Sequence, residues 1–503
     1  MIRIQPATPP LSPTEQYGLD VVIDLSRLIV LAEGETPAAS DAAPDIVVLR
    51  VGTPGEGPSA AGPIAGAAVA ELAAVIAVED GAVTVPRALL GAVADIAGGA
   101  IEQRSGARDR YDRVPSADNP VVAAGVEREP VVSFAGARLR EAAIHAAGRR
   151  VVRLLAPWPD AHRWCAALTH DVDVVAAWPA FAALRVVELL GKGRGRLAGA
   201  VVAAAAREAT GDPVWEGVSG VLAAEARYGV VSTWFLLCGT PTLASFRAGD
   251  LTYRLESPRG NRILAAIERG GHEVGLHGSF VTSEAPDGFV AQRARLAGLA
   301  AAPVRGVRQH YLRMRPGLTQ RWMARAGFDY DATYGFPDRN AYRLGVVDVV
   351  PAWDAAARQV LPLDEVPLTW MDRAQSKYQG VEDPQQWIAD ALAVAEVSRR
   401  AEGLWVGLWH PNLTAALGFP GAPAAYERLL AALTVERPYI APLHRVVEWR
   451  TLRRAVRALG VAPDGTVTLL GPTPRRFDIA TEDADGRLRE VWSAGAADSG
   501  DMD

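Results

Sequence analysis

The fold is first indicated by the stretch Trp164-Cys165-Ala166-Ala167-Leu168-Thr169-His170-Asp171-Val172-Asp173. Its first five residues form an apolar run bounded by polar residues, which is typical of a buried strand. An imidazole and two carboxylates therefore lie where that strand ends. Because carboxylates packed so closely repel one another, they require a cation, a shared proton or open solvent. A divalent metal ion would meet this requirement and is itself a catalytic device.

The region from about 156 to 460 alternates between strand-like and helix-like runs, the pattern of a parallel α/β fold. One helix is predicted to begin at Ser257-Pro258 and end at Gly270, and another covers 319–326 and ends at Gly327. Seven repeats without a dinucleotide-type glycine fingerprint predict a distorted (β/α) barrel. The predicted strands are 164–169, 230–237, 272–277, 303–309, 328–333, 365–370 and 404–410.

The two flanking regions differ from this central one. Residues 1–155 predict an N-terminal α/β accessory domain without recognisable chemistry, in which the charged run 103–113 is interpreted as a solvated loop. Residues 461–503 predict a short C-terminal β appendage and an acidic tail. The predicted elements are strands at 21–25 and 46–50, helices near 66–78 and 87–103, paired strands at 466–470 and 475–479, and a disordered end at 498–503.

The composition is that of a soluble globular protein, with 49% hydrophobic and 22% charged residues in a chain of 503. A net charge of −6 without a basic block argues against a nucleic-acid partner. Cys165 and Cys238 lie in apolar runs without zinc-type spacing, so we expect buried thiols. Residues 1–6 lack the apolar core of a signal peptide, and the most apolar stretch, 60–78, contains proline and glutamate. We therefore expect a cytoplasmic protein without a membrane span.

Four of the eight histidines lie at or just beyond the C-terminal ends of predicted strands. Strand ends converge at that rim of an α/β barrel, and catalytic groups gather there. We therefore interpret the four as one functional set. They are His170, His277, His310 and His410.

Neighbouring residues supply further candidates. His277 and Glu273 share a strand face by alternation, and we favour His277 because it lies at the strand end. Arg308 and Arg313 flank His310 and could hold a substrate carboxylate or hydroxyls. Trp409 could form an apolar or sugar-stacking wall together with Trp370, or could pack in the core. Either Asp364 or Asp372 could orient a histidine.

Several motifs in a fixed order resemble those of the NodB-type polysaccharide deacetylases, most closely a divergent bacterial branch. They are Thr-His-Asp-Val-Asp at 169–173, Ser-Thr-Trp-Phe at 232–235, Gly-His-Glu-Val-Gly-Leu-His at 271–277, an arginine-rich segment at 307–313 and Leu-Trp-His at 408–410. The resemblance covers about 156–450. It implies a distorted barrel, a divalent metal held by one aspartate and two histidines, and hydrolysis of N-acetyl groups.

The resemblance also implies residue roles. Asp171 matches the general base and His410 the general acid. Asp173 is the implied aspartate ligand, although Val172 separates it from Asp171 where the family has adjacent aspartates, so the division of roles between the two aspartates stays open.

The histidine ligands match the family less completely. His277 matches the first, but the position of the second is occupied by Val281. Our hypothesis is that His310 replaces the missing ligand, with His170 as the alternative.

The expected function is therefore removal of N-acetyl groups from a sugar or glycan by a zinc-dependent hydrolase, with cobalt, nickel or manganese as other candidate metals. Two alternatives stay open. One is a hydrolase of the same fold that cleaves a non-sugar amide. The other is a non-catalytic carbohydrate-binding or scaffold protein, which the valine in place of a histidine would favour.

Overall fold

Strands and helices alternate along most of the chain in a computed structural model. The described residues are 1–32, 46–52, 66–148, 152–176, 180–207, 211–241, 243, 253–461, 467–470, 477–482 and 488–494. The predicted disordered end at 498–503 lies outside them.

A four-stranded sheet forms the N-terminal part, in the order β1-β2-β4-β3. Its strands are β1 (Ile2–Ile4), β2 (Val47–Val51), β3 (Ala77–Glu79) and β4 (Ala82–Val85). The strand predicted at 46–50 is thus confirmed as β2. The helices of this part are Pro13–Ser26, Gly66–Ala74, Arg87–Ala97, Ala100–Arg104, Pro120–Ala123 and Val131–Ala147. A further strand, β5 (Val152–Leu155), lies outside this sheet.

The prediction of a strand at 21–25 is wrong, because these residues lie in the helix Pro13–Ser26. Ser12 and Glu15 form a reciprocal capping box at its start, and Pro13 occupies the first turn. A short apolar run alone does not distinguish a strand from a buried helix. The helix predicted at 87–103 is broken at Gly99, whose φ of 61° is left-handed.

A ten-stranded sheet forms the centre of the molecule, in the order β11-β12-β10-β9-β8-β7-β6-β14-β13, with β15 also paired to β6. All neighbours are parallel except β11 and β12. The strands are β6 (Cys165–Val172), β7 (Thr233–Leu237), β8 (Glu273–Gly278), β9 (Gly306–Gln309), β10 (Tyr330–Asp331), β11 (Val350–Asp354), β12 (Gln359–Glu365), β13 (Trp370–Met371), β14 (Leu404–Leu408) and β15 (Tyr439–Ile440). Within the described part of the chain, β13 and β11 do not pair, so the path stays open.

Helices connect the strands of this sheet and cover its outer side. Ser257 caps its helix by accepting a hydrogen bond from the Gly260 backbone, and that helix ends at Gly270 as predicted. The prediction of one strand at 365–370 is wrong, because Glu365 ends β12, Trp370 begins β13 and residues 366–369 connect them. The connecting helices are Ala180–Gly191, Gly195–Arg207, Pro213–Tyr228, Pro258–Arg269, Gly288–Ala297, Leu318–Arg325, Pro384–Arg400, Ala422–Val435 and Leu443–Ala455.

Side chains alternate between the two faces of the central sheet, and each face has its own core. On β6, Ala166 and Leu168 pack outward against the helices with Val218. Cys165 and Ala167 pack inward with residues of neighbouring strands, a side we call the inner face. Because the period is two, Thr169 and Asp171 also belong to the inner face. The polar end of β6 therefore points into the concave side of the sheet.

The N-terminal part packs directly on the central sheet region. Its core is continuous with residues that follow β10, including Tyr334 and Trp353. A buried ion pair crosses the same boundary: Arg343 donates to both carboxylate oxygens of Glu102 at 3.0–3.2 Å. Asn119 donates a further hydrogen bond of 2.7 Å to Glu102. The boundary predicted at residue 155 is thus crossed by a shared core and a charged network.

The C-terminal strands pair differently from the prediction. The strand β16 (Arg457–Val461) pairs with β17 (Val467–Leu470), whereas β18 (Phe477–Glu482) lies between β19 (Leu488–Ala494) and β5. The expected pairing of 466–470 with 475–479 is therefore wrong, since each segment has another partner. No helix among the described residues is long and apolar enough to cross a membrane.

The ion pair between Glu102 and Arg343 generates a stability prediction. We expect Glu102→Ala to lower the free energy of unfolding by about 3–5 kcal/mol, because it leaves a buried arginine without its carboxylate. Glu141→Ala is the control, since its pair with Arg138 leaves both side chains about half exposed, at 63% and 46%. That change should cost less than about 1 kcal/mol. Equal losses in urea denaturation would show that burial of the first pair has no special role.

Candidate metal centre and active site

Three polar side chains meet at the C-terminal ends of β6, β8 and β9. One potential ligand atom from each of Asp173, His277 and His310 lies within 4.8 Å of the others. Both His277 Nε2 and His310 Nε2 are 3.4 Å from Asp173 Oδ1. An aspartate and two histidines at this spacing form a donor set that suits zinc and similar divalent ions.

The orientation of His277 is fixed by the neighbouring strand. Its Nδ1 lies 2.9 Å from the carbonyl oxygen of Arg308. Because a carbonyl can only accept, Nδ1 carries the proton and Nε2 keeps a lone pair directed at the cluster. Both His277 Nε2 and Asp173 Oδ1 are buried without a hydrogen-bond partner among the described residues. Two unsatisfied acceptors aimed at one point fit a cation between them.

The charge of Asp173 is favoured by its surroundings. Burial acts to raise its pKa, but the imidazoles of His277, His310 and His410 act against this. Their combined effect holds the pKa of Asp173 well below its ordinary value. The carboxylate is thus ionised at neutral pH, as a metal ligand must be.

A tight turn after β9 places His310 in the cluster. Residues His310–Leu312 form a 3-10 turn in which Tyr311 has a left-handed φ of 61°. The His310 ring stacks on the Tyr311 ring at a centroid distance of 4.2 Å. Val281 lies in the separate turn Phe280–Glu284 and is not part of the cluster. The structure thus places His310, which the sequence analysis proposes as the replacement ligand, beside Asp173 and His277.

A second carboxylate, Asp171, lies beside the cluster but is held by an arginine. Arg308 Nη1 donates to Asp171 Oδ1 at 3.0 Å and to Thr169 Oγ1 at 2.9 Å. The other carboxylate oxygen, Asp171 Oδ2, is 3.7 Å from His277 Nε2. Arg308 is fully buried, so the predicted contact with substrate is replaced by a contact with this aspartate.

Opposite this pair, His410 follows β14 and is held by Asp372. The carboxylate accepts from His410 Nδ1 at 2.7 Å and from its backbone N–H at 2.6 Å. His410 Nε2 lies 3.7 Å from Asp173 Oδ2. Burial acts to lower the pKa of His410, but the charge and hydrogen bond of Asp372 outweigh it, and the pKa lies above its ordinary value.

Three other candidates from the sequence lie outside the cluster. His170 is on the outer face of β6, where Nε2 is 3.0 Å from Glu225 Oε1. Trp409 is buried between Trp370 and other aromatic rings on the outer side. Arg313 is tied to the backbone oxygen of Phe280 and to nearby polar side chains. Strand alternation removes the first two from the site, and buried hydrogen bonding fixes the third.

A cavity of about 230 Å³ opens over the cluster. Part of its wall comes from residues that the sequence analysis missed. Arg113, at the end of the run predicted to be a solvated loop, is 4% exposed and donates to the backbone oxygen of Tyr311. Lys377 and Tyr378 come from the π-helix Ala374–Gln379, and Arg373 is the residue before it. Of these four residues, only Arg113 lies in a segment with a sequence signal, the charged run 103–113, whose pattern predicts a solvated loop.

Comparisons with known proteins give weak structural similarities. No protein-family model and no curated protein matches the chain. A structure named as a polysaccharide deacetylase from Mycobacterium smegmatis is 21% identical, covers 63% of this chain and 97% of its own, and has a TM-score of 0.41. The Puue allantoinase is 15% identical, with coverages of 61% and 96% and a TM-score of 0.39.

A third similar structure is the Xyl-CE4 domain of a multidomain xylanase from the hindgut metagenome of Trinervitermes trinervoides. It is 13% identical, covers 64% of this chain and 99% of its own, and has a TM-score of 0.31. At these values the similarities assign neither a family nor an activity to the chain. The geometry of the site therefore carries the functional argument.

The cluster generates a metal-binding prediction. We expect about one divalent ion per chain, and at least about 100-fold weaker binding in His277→Ala and in His310→Ala, because each variant loses a nitrogen donor. Competition titration with a chelating indicator measures the affinity, and elemental mass spectrometry measures the stoichiometry. His145→Ala is the control, since this exposed histidine lies on the distant helix Val131–Ala147. Wild-type affinity in His310→Ala would rule out the replacement ligand.

Proposed function

We propose that this chain is a metal-dependent hydrolase that removes N-acetyl groups from a sugar or glycan. One observation carries the proposal. A carboxylate held by an arginine, Asp171, and a histidine held by a carboxylate, His410, face the same cluster of potential metal ligands. This combination matches what amide hydrolysis needs: an electrophilic centre, a base for water and an acid for the leaving amine.

Asp173, His277 and His310 would hold the metal ion, for which we propose zinc. When bound, the ion supplies Lewis-acid polarisation of the amide carbonyl and lowers the pKa of water to about 7. Cobalt, nickel and manganese accept the same nitrogen and oxygen donors. The hydrogen bond from His277 Nδ1 to the Arg308 carbonyl keeps Nε2 free of a proton for this role.

Asp171 is the proposed general base. Arg308 binds Oδ1, which fixes the carboxylate plane and leaves Oδ2 to accept a proton from the attacking water. Thr169, two residues earlier on the same face of β6, accepts a hydrogen bond from the same guanidinium nitrogen and helps to hold the arginine. The inner face of β6 thus supplies both the base and part of its support. Arg308 acts as a positioning residue, since its side chain is buried behind Asp171.

His410 is the proposed general acid. Its Nδ1–H is committed to Asp372, so Nε2 is the atom that donates a proton to the departing amine nitrogen. Asp171 takes one proton from the attacking water and His410 gives one to the leaving nitrogen, so the products are a free amine and acetic acid, which ionises to acetate at neutral pH. Asp372 keeps the imidazole in the required tautomer and favours its protonated form.

An acetate-release assay tests the proposed reaction. We expect release from N-acetylglucosamine oligomers with the metal-loaded chain and none after chelation. A small non-sugar amide, 4-nitroacetanilide, serves as comparison. Turnover of that amide alone would indicate a hydrolase of another C–N bond. A metal-loaded chain that releases nothing from any amide would favour the non-catalytic alternative.

The roles of the two side chains can be tested by substitution. We expect Asp171→Asn to lower kcat about 10²- to 10⁴-fold with unchanged metal content, because the amide cannot accept the proton. Asp329→Asn is a matched control, because this exposed aspartate pairs only loosely with Arg305 at 3.8 Å. Equal activity of the two variants would assign the base elsewhere. Loss of metal from Asp171→Asn would make it a ligand.

The raised pKa of His410 gives a pH prediction. The acid must be protonated to act, so a raised pKa extends activity toward higher pH. Asp372→Asn removes the charge that raises this pKa, and we expect the basic limb of the kcat/KM profile to move to lower pH. The comparison is between wild type and variant with the same metal and substrate. An unmoved basic limb would mean that another group donates the proton.

A further inference from the structure

The cavity over the cluster is lined by more positive charge than its carboxylates neutralise. Its carboxylates each have a partner: Asp171 is held by Arg308, and Asp173 faces three imidazoles. Glu188 accepts from both Arg185 and Lys192. The cations that line the cavity are Arg113, Arg185, Arg373 and Lys377.

Two of these cations are neutralised locally. Arg113 forms a hydrogen-bonded ion pair with Asp109 at 2.7–2.8 Å. Arg185 pairs with Glu188 and also donates to the backbone oxygen of Leu417. Their charges are thus committed within the protein.

The other two, Arg373 and Lys377, which we call the cation pair, have no such partner. Within the described residues, neither makes a hydrogen bond or an ion pair. Arg373 lies over the ring of Phe419 at 5.2 Å, and Lys377 Nζ lies 5.5 Å from the ring centre of Tyr311 and 5.6 Å from that of Tyr378. Aromatic faces stabilise a cation without neutralising it.

Keeping these charges unneutralised is costly. Both side chains are partly buried, and a cation removed from water without a counterion loses solvation. Burial and the neighbouring charge of Arg373 lower the pKa of Lys377 to about 8. An anion bound between the two cations would offset this cost, because it would supply the missing counter-charge.

The cation pair belongs to the same cavity as the proposed chemistry. Arg373 directly follows Asp372, the residue that orients His410. Lys377 faces the ring of Tyr311, which itself stacks on His310. A single ligand could therefore reach both the metal cluster and the cation pair.

We propose that the substrate of this site carries an anionic group, a carboxylate or a phosphate, that the cation pair binds. The proposal rests on the proposed function, because it describes the rest of a molecule whose acetamide group lies at the metal cluster. Arg373 can bind two oxygens of either anion with its planar fork, and Lys377 adds a point charge. A neutral acetamido sugar would leave both cations unmatched.

Binding measurements on the full-length Asp171→Asn chain test this, since that background slows turnover and keeps the three potential ligands. Calorimetry compares the neutral N-acetylglucosamine with N-acetylmuramic acid, which adds a carboxylate, and with N-acetylglucosamine 6-phosphate. We expect at least one charged ligand to bind about tenfold or more tightly than the neutral sugar. Which one gains identifies the anion.

Substitutions assign that preference to the cation pair. We expect the added Arg373→Gln and Lys377→Gln changes together to abolish the preference while leaving affinity for the neutral sugar within about twofold. Arg400→Gln is the matched control: it removes the same charge from a side chain that is 76% exposed on another helix. It should leave the preference intact. Circular dichroism of each variant confirms folding.

Three results would overturn the proposal: equal affinity for neutral and charged ligands, no binding of either charged ligand, or a preference that survives the double substitution. The last would place the anion on the metal or on another cation. Failure of the hydrolase proposal is distinct. In that case the wild-type protein would bind no metal and release no acetate. If the double substitution still abolished the preference for charged ligands, the anion site would stand without the proposed chemistry.

Discussion

The alternation of side chains along β6 is the constraint on which the site depends. One face packs Ala166 and Leu168 against the helices, so its register cannot shift without exposing the core. The other face must then carry Thr169 and Asp171 inward. Arg308, from the inner face of β9, is the counterpart that makes a buried carboxylate tolerable there. The same packing that stabilises the sheet therefore aims the proposed base.

Charge compensation explains the rest of the arrangement. The carboxylates of Asp171, Asp173 and Asp372 each face a cationic or imidazole partner that comes from another strand end or loop. Such pairing offsets the free-energy cost of removing an ion from water. Among the described residues, two sets of side chains near the site still lack part of their counterpart. They are the cluster of Asp173, His277 and His310, and the cation pair. One offers acceptors for a cation, and the other offers donors for an anion.

The sequence predicted the strand-end aspartates and histidines because strand ends are readable from apolar runs, and parallel strands end at one rim. Strand alternation in the sequence also predicts that His170 and Trp409 lie on the outer face. The motif resemblance and their position at the rim favoured a place in the site instead, and the structure has both on the outer face. Arg113 and Lys377 could not be found in this way. Both reach the cavity from segments far from β6 in sequence, and only tertiary packing brings them together.

His310, the proposed replacement ligand, reaches the cluster from the strand next to the one that carries His277. A histidine four residues after His277 would lie in the turn Phe280–Glu284, where Val281 is partly exposed. The alternative comes from the adjacent strand, because β8 and β9 are parallel and in register, with His277 opposite Arg308. His310, two positions after Arg308, then lies just past the strand end, and Tyr311, with its left-handed φ, turns the chain there. Such backbone strain is retained where the surrounding structure fixes it, and here the stacked rings of Tyr311 and Tyr111 do so.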